Sequence, residues 1–330
     1  MKKRATVIDV AELAKVGAST VSRYLRSIPV RPDVAERIRA AVETLGYVPD
    51  ETARALRGGR TRTIGVVLPK VSNVFFSQAM QVIEEEARQR GCTVIPLTHQ
   101  DRLTQQQENL AKLRRYRADG VIITCAPGTT AKDVESALPH VPIVAFDSFL
   151  SSHVDSVLLR NREAARMGTE HLLGHGHKEV ACVTGKPEIY SFRERIAGYT
   201  EAMTSRRLRP NLIAAPDYDK LRYLLAVALQ GKNRPTALLS LSDFATLNVL
   251  TTFAELALKP ADRVPIIGFD DFGFAPLIDP PLTVIRQPIE TMVRYALNML
   301  FRRIDGSASK ETQEISLPGE LVCRRSCGCS

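Results

Sequence analysis

Two periodicities divide the chain. Up to about residue 46 apolar residues recur every three or four positions in short segments, whereas from Ile64 onward short β-branched runs alternate with helical stretches. In the first regime Val7, Val10, Leu13 and Ala14 predict one apolar stripe, and Val21 and Leu25 point a second helix back onto it. Val34, Ile38, Ala41, Val42 and Leu45 supply a third helix that stops at Gly46. Thr6 followed by Asp9 sets a hydroxyl and a carboxylate at the first free N–H groups, Gly17 opens the second helix, and Pro32 lies in the first turn of the third. Two helices and a tight turn within Thr6 to Arg23, with a third helix closing a mini-core, are the layout of a helix-turn-helix DNA reader. The outward face of the second helix carries Ala18, Ser19, Ser22, Arg23 and Arg26, small, polar and basic groups suited to bases and phosphates. The alternative, an ordinary three-helix element, requires no such face.

The second regime reads IGVVLP, CTVIPL, GVIIT, PIVAFD, VACVTG, LIAAP, ALLSLS and VPIIGF. Apolar strands separated by helices imply parallel sheets covered on both faces. The runs fall into two groups, 64 to about 160 and about 162 to 287, so the expected fold is α/β with two doubly wound lobes and a ligand cleft at the carboxyl ends of their strands. Ser72, Asn73, Phe75 and Phe76 follow the first strand, Asp147 ends the fourth, Arg193 follows the sixth, and Asp270 ends IIGFD. All stand at the expected cleft mouth, while Asn161, near the first crossover, suits either ligand contact or hinge support. The linker YVPDETARALRGG has a helix breaker at Pro49, a cap at Asp50 and a Gly58-Gly59 stop. A helix that short is marginal alone, which makes it conditional on a partner.

DVA at 9–11, TVSR from Thr20 and LGYVPDETARAL resemble the lactose/galactose repressor family of bacterial transcription factors. The likeness continues in order through TIGVVLP (63–69), RADGVII (117–123), GHGHKEVACVTG (174–185), RIAGY (195–199), VPIIGFDD (264–271), PPLTVIRQP (280–288) and LPGELVCRRS (317–326). It implies a helix-turn-helix domain at 1–48, a hinge helix at 49–60 and a two-lobed, type I periplasmic-binding-protein-like domain at 61–330. Lobe one then spans about 61–160 and 288–316, with a returning helix near Ile289 to Ile304, and lobe two spans about 161–287 and 317–330. A homodimer on a pseudo-palindromic operator follows, with Thr6, Ala18, Ser19, Ser22 and Arg23 at the DNA and Thr20 and Arg26 nearer phosphates. The hinge would wedge Leu56 into the minor groove beside Arg54 and Arg57. By the same resemblance Arg193 and Asp270 contact the effector. The implied role is repression of carbohydrate or sugar-acid utilisation genes, relieved by a sugar, sugar acid or sugar phosphate. A nucleobase effector, or a corepressed or activating response, is the alternative.

Departures from the family pattern are local. Lys15 stands for the usual turn glycine, Gly17 for a capping serine and Arg160 for an acid, and Asp243 lacks its usual neighbours. Arg160 hints at an anionic ligand. Composition supports the DNA reading, because the net charge is +9 and the first 60 residues hold twelve Lys/Arg against seven Asp/Glu. The N-terminus does not read as an export signal and no run approaches the roughly 18 apolar residues of a membrane span, so a cytoplasmic protein is expected. A periplasmic sugar-binding protein would share the lobes but not residues 1–60. Neither a GxSxG nor a phosphate-binding glycine loop occurs, so no enzyme and no cofactor are expected. Of six cysteines, Cys323, Cys327 and Cys329 cluster near the end without CxxC spacing or a following histidine, and a terminus frays. His171, His175 and His177 look like a metal cluster, yet GHGHKEV resembles the family's turn into a strand, so these histidines are expected to pack or cap and no metal is expected.

Overall fold

The computed structural model describes residues 5–25, 28–47, 60–258 and 263–329. They belong to two units, Met1–Thr61 and Arg62–Ser330.

In the first unit, α1 (Val7–Ala14), α2 (Ala18–Leu25) and α3 (Pro32–Leu45) surround a small core. Thr6 and Asp9 form the reciprocal capping box, with each side chain bonded to the other's backbone N–H. Val10, Ala11, Ala14, Val21, Ile38 and Ala41 are buried, and Val7, Leu25, Val34, Val42 and Leu45 pack around them. Leu13 departs from the expected stripe and is 49% exposed. The inward face is the i, i+3, i+4, i+7 set that starts at Val7, which takes Ala11 and leaves Leu13 outside. Lys15 ends α1 with φ 51°, the left-handed conformation for which glycine is the unstrained choice.

The second unit holds two six-stranded sheets. In lobe one the order is β11 (Glu314–Leu317), β5 (Asp155–Leu159), β4 (Ile143–Phe146), β3 (Gly120–Ile123), β1 (Thr63–Leu68) and β2 (Thr93–Thr98), all parallel. In lobe two it is β12 (Glu320–Val322), β10 (Thr283–Arg286), β9 (Ile266–Phe269), β8 (Ala237–Ser240), β6 (Val180–Thr184) and β7 (Asn211–Ala214), parallel except for β12. Lobe one is covered by α4 (Val74–Gln89), α5 (Leu103–Arg115) and α6 (Ala131–Ala137), and lobe two by α7 (Asn161–Gly174), α8 (Tyr190–Ser205), α9 (Tyr218–Gln230) and α10 (Asp243–Glu255). The last helix, α11 (Ile289–Ile304), returns to lobe one, where Met292, Val293, Ala296, Leu297 and Leu300 join the core of Ile64, Val66, Ile122 and Val144.

The chain therefore passes between lobes three times, at Arg160, after Arg286 and at Pro318–Gly319. The passages lie together. Arg160 N–H donates to the Leu317 carbonyl at 2.7 Å. A Cβ on Gly319 would meet Ile285 Cγ2 at 3.2 Å and Ala164 Cβ at 3.4 Å.

The RIAGY motif acquires a structural meaning in α8. A Cβ on Gly198 would overlap the Arg162 carbonyl oxygen, so α7 and α8 approach with only a hydrogen between them. The next residue, Tyr199, is fully buried, donates its hydroxyl to the Val180 carbonyl at 2.7 Å and accepts from Asn211 N–H at 2.8 Å, tying α8 to β6 and β7. Among the described residues, no helix is long and apolar enough to cross a membrane.

Candidate functional site

The carboxyl ends of the two sheets enclose a cavity of about 340 Å³. Topologically equivalent positions contribute its two central acids. Asp147 follows β4 and Asp270 follows β9, both in left-handed conformation (φ 50° and 70°), and each N–H bonds the adjacent strand, at Val157 O and Ile285 O. The turn swings both carboxylates into the cavity, where both are buried. Burial is the main cause that pushes each carboxyl up to about 6, opposed by the Arg195 guanidinium. Asp270 Oδ1 accepts from Gln287 Nε2 at 2.7 Å. Asp147 Oδ1 and Gln287 Oε1 are buried and have no hydrogen-bond donor among the described residues.

Arg195 is the cation between these acids. It is fully buried in α8, with its Cζ 3.8 Å from the Phe269 ring centroid, its Nε on Asn161 Oδ1 at 2.7 Å and its Nη1 on the Leu241 carbonyl at 2.7 Å. Burial lowers its pKa, and Asp147, Asp270 and Asp243 work against that shift. The sequence expectation for Arg193 is thereby corrected. Two residues are about 200° around a helix, so when Arg195 faces the cleft Arg193 faces away. Its side chain is 61% exposed, beside Glu194, and lies outside the cavity lining. Asn161 does not line the cavity either. It is buried, orients Arg195 and donates its Nδ2 to the Leu159 carbonyl, the supporting alternative of the two readings. Arg160 lies on the surface against Ser316 O and Glu163, which removes the basis for expecting an anion.

Phe75 and Phe76 are both core and wall. Phe75 stacks on Phe146 with centroids 5.7 Å apart, and both phenylalanines border the cavity. Lobe two supplies the facing rings Phe192, Phe244, Phe272, Phe274 and Tyr218. Ser72 borders the cavity from the loop before α4. Asn73 caps α4 through Oδ1 and reaches across the cleft, donating Nδ2 to Asp243 Oδ1 at 2.7 Å, while Asp243 Oδ2 accepts from Val74 N–H at 3.1 Å. A second bridge, Lys186 to Asp101, also joins the lobes. Sequence reasoning missed Arg195, Lys186, Asp101 and most of the aromatic wall. Arg195 alone had a visible signal, as the first residue of RIAGY.

In the first unit, Ala18, Ser19 and Arg23 are exposed on α2, and Thr20 and Ser22 are half-buried. Arg23 Nη2 donates to the Pro29 carbonyl at 3.3 Å, and the Thr6 hydroxyl is engaged with Asp9. Arg26, Arg54, Leu56 and Arg57 lie outside the described residues.

Far from the cleft, the expectation that the last residues fray is corrected. Ser326 Oγ donates to the Ile266 carbonyl at 2.7 Å and accepts from Thr283 N–H at 2.8 Å, and Cys327 is fully buried. His171 and His175, expected to pack or cap, stand with Cys329 so that their ligand atoms lie within 4.8 Å of one another.

A helix-turn-helix unit followed by a two-lobed domain with a polar, aromatic-walled cleft defines a ligand-responsive DNA-binding regulator of the periplasmic-binding-protein-like type. Residues 6–50 match the model of bacterial regulatory proteins of the lacI family, and residues 169–327 match a periplasmic binding protein-like domain. The HTH-type transcriptional repressor PurR of Vibrio campbellii is 30% identical over 97% of this chain and 98% of its own length. The crystal structure of the lac repressor dimer bound to operator and the anti-inducer ONPF is 27% identical, covering 98% of this chain and 99% of its own, with a TM-score of 0.85. A transcriptional regulator CelR–cellobiose complex is 25% identical over 98% of this chain and all of its own, with a TM-score of 0.70. The chain belongs to the lacI family of bacterial regulatory proteins and is a DNA-binding transcriptional repressor, not an enzyme.

Proposed function

We propose that the chain is a homodimeric repressor whose operator affinity is switched by a neutral, hydroxyl-rich ligand, a carbohydrate, held between the lobes. The observation that carries this is the acceptor surplus at the cavity base. Asp147 Oδ1 and Gln287 Oε1 are buried without donors, and a ligand that supplies O–H groups would satisfy them. Two carboxylates against one buried guanidinium disfavour an anion, so sugar acids and sugar phosphates rank below neutral sugars. The phenyl walls suit the apolar face of a sugar ring. Cellobiose in the CelR complex accords with this class.

A nucleobase is the second reading. Its N–H groups are donors too, its planar faces suit seven aromatic side chains around one cavity, and the PurR relatives favour it. On the DNA side Ser19, Ser22 and Arg23 would read the major groove of each half-site, with Leu56 as the minor-groove wedge.

A thermal-shift screen of neutral sugars, sugar acids, sugar phosphates and nucleobases, followed by operator-binding anisotropy with each hit, tests both halves. A carbohydrate reading requires a neutral sugar that raises the melting temperature of wild type, does so less in Asp147→Asn/Asp270→Asn, and changes operator affinity. Stabilisation by nucleobases alone selects the second reading. Stabilisation only by anions refutes both.

A further inference from the structure

We propose that the C-terminal segment and the end of α7 form a zinc-type metal site with His171, His175, Cys327 and Cys329 as ligands. The histidines are spaced i, i+4, which sets their imidazoles one turn apart, edge to face, on one side of the helix end. His175, the residue after the helix, is exposed, and the ring centroids are 4.8 Å apart. The Cys-x-Cys pair arrives from the other end of the chain. His171 Nε2 stands 3.3 Å from Cys327 Sγ and 3.4 Å from Cys329 Sγ, His175 Nε2 stands 3.3 Å from Cys329 Sγ, and the two sulfurs are 3.2 Å apart.

Bond lengths of about 2.3 Å to sulfur and 2.0–2.1 Å to nitrogen give a tetrahedral zinc site edges of roughly 3.3–3.8 Å. The distances from His171 to each sulfur, from His175 to Cys329 and between the two sulfurs sit a few tenths of an ångström inside the matching edges, so a small outward movement of these groups lets an ion in. Two thiolates and two imidazoles are the donor set of closed, structural zinc sites. A supporting contact is also in place, since the Thr283 hydroxyl donates to Cys327 Sγ at 3.1 Å and would orient a ligating thiolate. The backbone that carries the sulfurs is anchored by Ser326, and by Arg324, which grips both oxygens of Asp271 at 2.8 and 3.0 Å. The metal would fasten the C-terminal segment to α7, the helix whose other end holds Arg195 through Asn161.

The test uses the full chain, purified under reducing conditions without chelator. Elemental analysis should find about one zinc per chain. His175→Gln and Cys329→Ser, both at solvent-accessible positions, should reduce it to background, and Cys92→Ser, outside the cluster, should leave it unchanged. Metal-depleted wild type titrated with Co²⁺ should develop the intense visible bands of tetrahedral thiolate coordination, lost in both variants. Chelation should lower the melting temperature of wild type and not of the variants. Wild type that purifies metal-free and gives no tetrahedral cobalt spectrum overturns the proposal, as does a spectrum that survives both substitutions. If the variants do not fold, judged by circular dichroism, zinc content and cobalt spectrum of wild type decide alone.

Discussion

The Lys186 ammonium meets the Asp101 carboxylate at 3.0 Å across the cleft, joining the turn after β6 in lobe two to the turn after β2 in lobe one. Asp101 is held for this contact by His99, whose Nδ1 accepts its N–H at 3.0 Å while Nε2 donates to the Thr124 carbonyl at 2.9 Å. Both partners are mostly buried, so solvent screens the pair less than a surface bridge. Asp101→Asn and Lys186→Met should each weaken a cleft ligand by about 1 kcal/mol, a factor of about five, measured by calorimetry. Unchanged affinity in both variants would show that the bridge does not help hold the lobes closed.

Arg195 and Arg193 make opposite predictions. Arg195→Leu leaves Asp147 and Asp270 buried without their counter-charge and should destabilise by about 3–5 kcal/mol in urea unfolding. Arg193→Ala should stay within about 0.5 kcal/mol and leave ligand binding intact. A large loss of ligand affinity in Arg193→Ala would restore that residue to the site.

The two buried carboxyls give a pH dependence of defined sign. Each is raised to about 6 in the folded protein, so between the ordinary aspartate value and about 6 the folded state binds more protons than the unfolded chain. Stability of the ligand-free protein should therefore rise as pH falls through about 6 toward about 4, with a slope of at most about 1.4 kcal/mol per pH for each carboxyl. Differential scanning calorimetry of wild type and Asp147→Asn/Asp270→Asn reads this out. The double variant should lose most of the slope in that window, and identical slopes would assign the effect elsewhere.

Glycine substitutions separate close approach from open space. Gly198→Ala forces a methyl group onto the Arg162 carbonyl and should cost about 2 kcal/mol or more unless α7 and α8 part. Gly174→Ala, with nothing within 4 Å of the added carbon, should be neutral or stabilising by about 0.5–1 kcal/mol. Equal effects in chemical denaturation would contradict the packing described for RIAGY.

Lys15→Gly relieves a left-handed residue and should stabilise the first unit by about 1 kcal/mol, read as slower hydrogen exchange at the amides of Val10, Ala11 and Val21 in the full chain. Faster exchange would mean that the lysine side chain makes a contribution larger than the backbone strain.

Elements whose burial is set by neighbours in sequence are the legible ones. Both-face-buried strands announce themselves as apolar runs, the capping box as Thr6 and Asp9, and the central acids as polar residues ending such runs. Leu13 escapes the pattern because a stripe allows two residues at each turn and only packing decides between them. Arg193 and Arg195 are both plausible from spacing, and helix phase against β9 selects the second. The aromatic wall is illegible because its rings come from four separate segments of lobe two. The cluster at Cys329 presents itself in the sequence as two unrelated groups, His171 with His175 and the terminal thiols, because more than 150 residues separate them.

The three adjacent passages between lobes constrain how such a chain can be recombined. Lobe one takes α11 and β11 from residues that follow most of lobe two, and lobe two takes β12 from residues beyond those. A single genetic crossover within the second unit would therefore join a sheet to the other parent's edge strand or a core to the other parent's covering helix. The first unit, contiguous within Met1–Thr61, needs only one junction. Operator specificity is thus the part of this architecture that shuffling can exchange whole, while ligand specificity must change by substitution in place.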